Sequence, residues 1–118
     1  MTEDEAATPL DRAELERSSL GDAEFEKELL TEFLGGVHDQ LSALVAALTA
    51  RDVNQVRMVA HSLKGACWTV GARAMGQVCE ELELEARAGG LASADGLVAR
   101  IHDAFAQLDA HVRRHWAL

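Results

Sequence analysis

Residues 23–50, AEFEKELLTEFLGGVHDQLSALVAALTA, carry Phe25, Leu29, Leu30, Phe33, Leu34, Val37, Leu41, Leu44, Val45 and Leu48 at intervals of mostly three or four residues. That period is the signature of one face of an α-helix, whereas a half-buried strand would alternate every second residue. Gly35 and Gly36 interrupt the stretch at about 1 kcal/mol each relative to alanine. The glycines leave room for a local kink, but the apolar stripe continues across them. A helix this long and this amphipathic must bury its stripe against other elements.

Reading outward, the neighbouring segments repeat the pattern. Asp22 is the expected N-cap of the long helix, behind a break at Gly21. Upstream, Thr8-Pro9-Leu10-Asp11 reads as a helix start, with Thr8 as N-cap, Pro9 in the first turn and Asp11 as its acidic partner. That short helix should end near Ser18, and residues 1–7 form an acidic leader expected to be disordered. Downstream, Asp52 caps a helix whose inward face is Val53, Val56, Ala60, Leu63, Cys67 and Val70, closed at Gly71. Another begins near Ala72, turns Met75, Val78, Cys79, Leu82 and Ala86 inward, and stops at Gly89-Gly90. Ser93 is placed to cap the last helix, striped by Leu97, Ile101, Ala104, Phe105, Leu108, Val112 and Trp116. The expected fold is all-α: an antiparallel up-and-down four-helix bundle over about residues 22–116, with a short additional N-terminal helix. Residues 8–118 would form one domain.

Composition agrees. The chain has 118 residues, 48% of them hydrophobic, with one proline and no tyrosine. That length and apolar share fit a single folded domain. Twenty acidic against eleven basic side chains give a formal net charge of −9. This argues against a nucleic-acid partner or an anionic membrane surface, both of which need a basic footprint. No apolar run is long enough for a transmembrane helix, and the acidic start is unlike a basic signal or transit peptide. A cytoplasmic protein is expected. Cys67 and Cys79 fall on inward stripes and read as core thiols in a reducing compartment.

The chemistry concentrates in Ala60-His61-Ser62-Leu63-Lys64-Gly65-Ala66-Cys67-Trp68-Thr69-Val70-Gly71. At 100° per residue, Arg57, His61, Lys64, Gly65 and Trp68 share the face opposite Val56, Leu63 and Val70. His61 should stand exposed midway along a rigid helix. An imidazole with its ordinary pKa near 6.5 is a good nitrogen nucleophile at neutral pH. Attack on a phosphoryl group needs positive charge at the equatorial oxygens, which Lys64 is spaced to supply. It also needs room for an in-line donor, and Gly65 removes the side chain that would crowd the ring. An exposed histidine on a helix is, equally, often a plain surface residue.

The segment A-H-S-L-K-G-A-C-W-T-V-G-A resembles the signature of histidine-containing phosphotransfer (HPt) domains, H-x-x-K-G followed by small residues, an apolar residue and glycine. The resemblance implies that His61 is phosphorylated on Nε2 and exchanges the phosphoryl group with an aspartate of a response-regulator receiver domain. Lys64 would then neighbour the phosphoryl group and Gly65 would provide steric access. In such domains a Gln or Glu on the next helix, 22 positions after the histidine, often bonds its Nδ1. Here that position is Glu83, and the glutamate resembles chemotaxis-kinase phosphotransfer domains. Two readings of Glu83 stay open: an orienter of His61, or one more member of the solvated run Glu80, Glu81, Glu83 and Glu85. Trp68 departs from the family, which usually has a small residue there. It is either an anchor for a partner or an obstruction.

The resemblance implies a phosphorelay protein whose partners are a receiver domain and a sensor or hybrid histidine kinase. The partner surface would centre on Arg57, Ser62 and Trp68 around His61. The alternative is a non-phosphorylated HPt-like protein that binds receivers or kinases. The chain shows no P-loop, kinase glycine-rich loop or nucleotide-binding box, so no ATP site, kinase activity or bound cofactor is expected. Any divalent metal in the transfer would be held by the receiver. His111 and His115 are spaced i,i+4, but no third metal ligand accompanies them, and they suit the dipole at a helix C-terminus. His38 and His102 belong to no pattern. A closed bundle is expected to be monomeric. Residues 51–73 hold Arg51, Arg57, Lys64 and Arg73 against Asp52 alone, a basic island around His61 within an acidic chain.

Overall fold

Three of the helices begin where an aspartate side chain accepts from their free N–H groups. The computed structural model describes residues 9–118. In it, α1 spans Arg12–Ser19, α2 Ala23–Thr49, α3 Val53–Val70, α4 Arg73–Arg87 and α5 Ala94–Trp116. Asp22 accepts from the N–H groups of Glu24 and Phe25, and Asp52 from that of Gln55, as the sequence implied. α2 runs unbroken through Gly35 and Gly36.

α1 starts later than the sequence reading placed it. Asp11 is itself the N-cap, accepting from Ala13 and Glu14, and Thr8 and the 1–7 leader lie outside the described residues. Asp11 suits the cap because the same segment is tied elsewhere: its N–H donates to the Gly71 carbonyl at 2.7 Å. Gly71 ends α3 with φ +80, and a Cβ there would fall 2.4 Å from the Asp11 carbonyl oxygen. Both the left-handed turn and the close approach of α1 require glycine at this corner. Ser18 Oγ adds a bond to the Thr69 carbonyl.

Helices α2 to α5 form the four-helix bundle, each turned back on its predecessor by a short connection, and α3 and α4 make the most extensive pairing. The core is built from Leu30, Val37 and Leu44 of α2, Val56 and Leu63 of α3, Met75 and Leu82 of α4, and Ile101 and Leu108 of α5. Leu15 anchors α1 in it. Two residues assigned inward, Phe25 and Val45, are exposed, because the buried arc of α2 centres on Leu30, Val37 and Leu44 and both lie beyond its edges. Ser93 occupies the N-cap of α5 without a side-chain capping bond; instead its own N–H donates to Glu85. At the bundle end near α1, Trp116 donates to Glu26 at 2.7 Å and lies under the Arg12 guanidinium. No described helix is long and apolar enough to cross a membrane.

Candidate functional site

α3 presents its outer face along a straight, capped helix, so side chains there are held by the backbone and not by a loop. His61 lies at the middle of α3, with its side chain 65% exposed. Its Nδ1 is 2.8 Å from Glu83 Oε2 on α4. The Glu83 side chain is 2% exposed, so it is not part of a solvated acidic run.

Glu83 gathers three nitrogen groups. His61 Nδ1 and Arg87 Nη2 both meet Oε2 at 2.8 Å. Lys64 Nζ lies 2.7 Å from Oε1, an ion pair outside good hydrogen-bonding alignment. Burial on its own would raise the Glu83 titration. Lys64 and then His61 outweigh that effect and hold the carboxyl below its ordinary range. An ionised carboxylate only accepts hydrogen bonds, so the ring proton belongs on Nδ1 and the Nε2 lone pair is free. Nδ1 is turned to the buried carboxylate.

Gly65 is one turn beyond His61. Outside its own helix backbone, a Cβ there would meet nothing within 4 Å, so no packing among the described residues demands a glycine. Ground beside the imidazole is open. Ser62 Oγ accepts from Gln40 Nε2 at 2.9 Å, which ties α3 to α2 at the level of His61. Trp68 is 38% exposed and leans on α4: a Cβ at Gly76 would lie 3.3 Å from the Trp68 ring and 3.2 Å from Cys67 Cβ. The glycine is thus a seat for the ring. Trp68 is neither folded into the core nor free in solvent.

The basic island is mostly compensated by acids from other helices. Arg51 pairs with Asp95, Arg73 with Asp11 and Lys64 with Glu83. Arg57 makes no ion pair with the described residues. What remains cationic beside His61 is a smaller patch than the charge count implied. Cys67 and Cys79 are buried free thiols, and a hydrogen bond with Cys79 together with burial pushes the Cys67 thiol up, away from reactivity. The His111 and His115 rings lie against each other at the end of α5, tilted by 42° with centroids 4.3 Å apart. Burial first, then His115, lowers the titration of His111.

The residue that sequence reasoning missed is Arg87. Its only signal was the i,i+4 spacing from Glu83, a common surface pattern on any helix.

Fold and site together describe a helical bundle that presents one carboxylate-oriented histidine on a rigid helix. A family model described as the Hpt domain matches residues 28–111, and the chain belongs to that family. The crystal structure of histidine-containing phosphotransfer protein B (HptB) from Pseudomonas aeruginosa PAO1 is similar, with a TM-score of 0.85 and 30% identity. The match covers 95% of this chain and 98% of that one. The sensor histidine kinase AruS of Pseudomonas aeruginosa is 40% identical over 58 residues, 49% of this chain and 6% of the kinase. The chain therefore spans a small part of that relative's length. Family membership gives it a histidine phosphotransfer role in two-component signalling.

Proposed function

We propose that His61 is the phosphoryl carrier, accepting the group on Nε2 from an aspartyl phosphate of a receiver domain and passing it to another. The Nε2 lone pair attacks phosphorus, the P–O bond to the aspartate breaks, and the aspartate leaves as a carboxylate. The product ring carries Nδ1–H and Nε2–P and is cationic. Its positive charge then lies against Glu83, which stabilises it as the charge develops. The return step reverses these bonds.

One observation carries this reading. Glu83 is buried and bonded to Nδ1, which leaves Nε2 as the ring nitrogen available for attack on a largely exposed side chain. A histidine that was only a surface residue would not need a desolvated carboxylate behind it. Lys64 is held at Glu83 in the resting site and turns toward the phosphoryl oxygens as they arrive. Arg57, Ser62 and Trp68 border the contact with the receiver, with the exposed side of α1 adjoining. The working unit is the bundle of residues 8–118, without kinase chemistry of its own, acting in the cytoplasm between a histidine kinase and a receiver.

The test is transfer from a receiver domain charged with acetyl phosphate. Wild type should take up acid-labile, base-stable phosphate, and His61→Gln should take up none. Binding of the receiver with no label on wild type would favour the non-phosphorylated interaction protein instead. Trp68→Ala should weaken receiver binding about tenfold if the ring is an anchor, since central aromatic contacts commonly contribute 1–2 kcal/mol or more. Unchanged or tighter binding, measured by calorimetry, would show it to be an obstruction.

A further inference from the structure

Glu83 is asked to stay ionised in a place where burial opposes its charge. Of its three partners, one leaves and one changes charge as a phosphoryl group arrives on His61. The reading of His61 as carrier, on which this inference rests, requires Lys64 to leave Oε1 for the phosphoryl oxygens. It also makes the Nδ1–H a bond from a ring whose own charge changes during each transfer. Oε1 has no aligned hydrogen bond even in the resting site. Only Arg87 is free of the reaction. It comes from the same helix one turn on, donates to Oε2 at 2.8 Å and keeps its side chain 59% exposed.

We infer that Arg87 is a positioning residue for phosphotransfer, which keeps Glu83 ionised and aimed at His61 Nδ1 while Lys64 exchanges partners. The local charges make the division of labour clear. In the resting site Lys64 and Arg87 face one carboxylate, an excess of one positive charge with a neutral imidazole. With Lys64 drawn to an arriving phosphoryl group and the ring not yet cationic, Arg87 still matches Glu83. Without Arg87, departure of Lys64 before the N–P bond forms would leave a desolvated carboxylate held by a neutral imidazole alone, and proton uptake by Glu83 would become easier at that point. A protonated Glu83 no longer supports the positive ring of the transition state.

Arg87 is well placed for this task. It sits in the last turn of α4, where the helix dipole favours a cation, and its guanidinium can hold an oxygen without being deprotonated. Glu83 is faced by His61 and Lys64 from α3 and by Arg87 from its own helix. α5, packed on α4 from the other side, adds no ion pair to it among the described residues; its Arg100 pairs with Glu81.

The experiment is a carbon-13 NMR titration of the Glu83 carboxyl in wild type, Arg87→Ala and Arg87→Lys, paired with transfer rates from a receiver charged with acetyl phosphate. In Arg87→Ala the Glu83 midpoint should rise by about half a pH unit or more. Its transfer rate relative to wild type should be lower at pH 5 than at pH 8. Arg87→Lys should restore most of both. An unchanged Glu83 midpoint, or a rate ratio to wild type that does not vary with pH, would overturn the inference. The titration needs no phosphate, so failure of wild type to be labelled would count against His61 as carrier without removing the readout on Arg87.

Discussion

Gly65→Gln is expected to leave a folded, slightly more stable bundle that transfers phosphate more than a hundredfold more slowly. The two effects have separate causes. Glycine in a helix interior is about 1 kcal/mol less favourable than alanine, and glutamine recovers most of that difference. Among the described residues, nothing beyond the helix's own backbone and the adjoining residues lies within 4 Å of a Cβ at this position, so no clash offsets the gain. A long side chain one turn from His61 would instead occupy the approach of the phosphoryl donor, and in-line geometry is sensitive to displacements of about 1 Å. Gly65→Ala should share the stability gain and lose less activity. Denaturant unfolding and the transfer assay check the two halves independently. A Gly65→Gln variant with normal transfer would show that the open ground serves no donor.

Glu83→Ala is expected to lower stability by about 3 kcal/mol at pH 7. Removing one member of a buried charge cluster strands its partners, at about 3–5 kcal/mol for a fully buried pair. Lys64 and Arg87 keep access to water, so the lower end applies. Glu83→Gln keeps the shape and one acceptor and isolates the charge. It should slow transfer at least tenfold, because a neutral amide stabilises the cationic ring less well. The pH dependence has a definite sign. The folded Glu83 carboxyl titrates below its ordinary range, so its stabilisation is complete above the usual carboxylate value near pH 4. It fades as pH falls through the lower folded value. Wild type and Glu83→Gln should differ in urea midpoint at pH 7 and draw together below about pH 4. A gap that persisted to pH 2 would assign the stabilisation to shape and hydrogen bonding, not charge.

Local features were legible in the sequence because their causes are local. Asp22, Asp52 and Gly71 mark helix ends through bonds to residues within a turn or so. The inward stripe of α3 follows from its period alone. His61, Lys64 and Gly65 were found for the same reason, since one helix holds all three. Glu83 was identified by its distance along the chain in related domains, but its burial depends on how α4 rolls against α3, which periodicity does not specify. The start of α1 was misplaced because Asp11 is fixed by a bond to Gly71, far along the chain. The basic island looked stronger in sequence than in space. Asp95, Asp11 and Glu83 reach Arg51, Arg73 and Lys64 only after the helices assemble. Phe25 and Val45 fit the helical spacing of α2, yet the core of a bundle accepts a narrower arc than that spacing allows.

The most direct test is the position of the phosphoryl group itself. After incubation with a receiver domain charged with acetyl phosphate, phosphorus–proton correlation NMR should place a single phosphoryl group on Nε2 of His61, with Nδ1 protonated and still bonded to Glu83. A phosphoryl group on Nδ1, on His38, His102, His111 or His115, or none at all would contradict the assignment of His61 as the carrier.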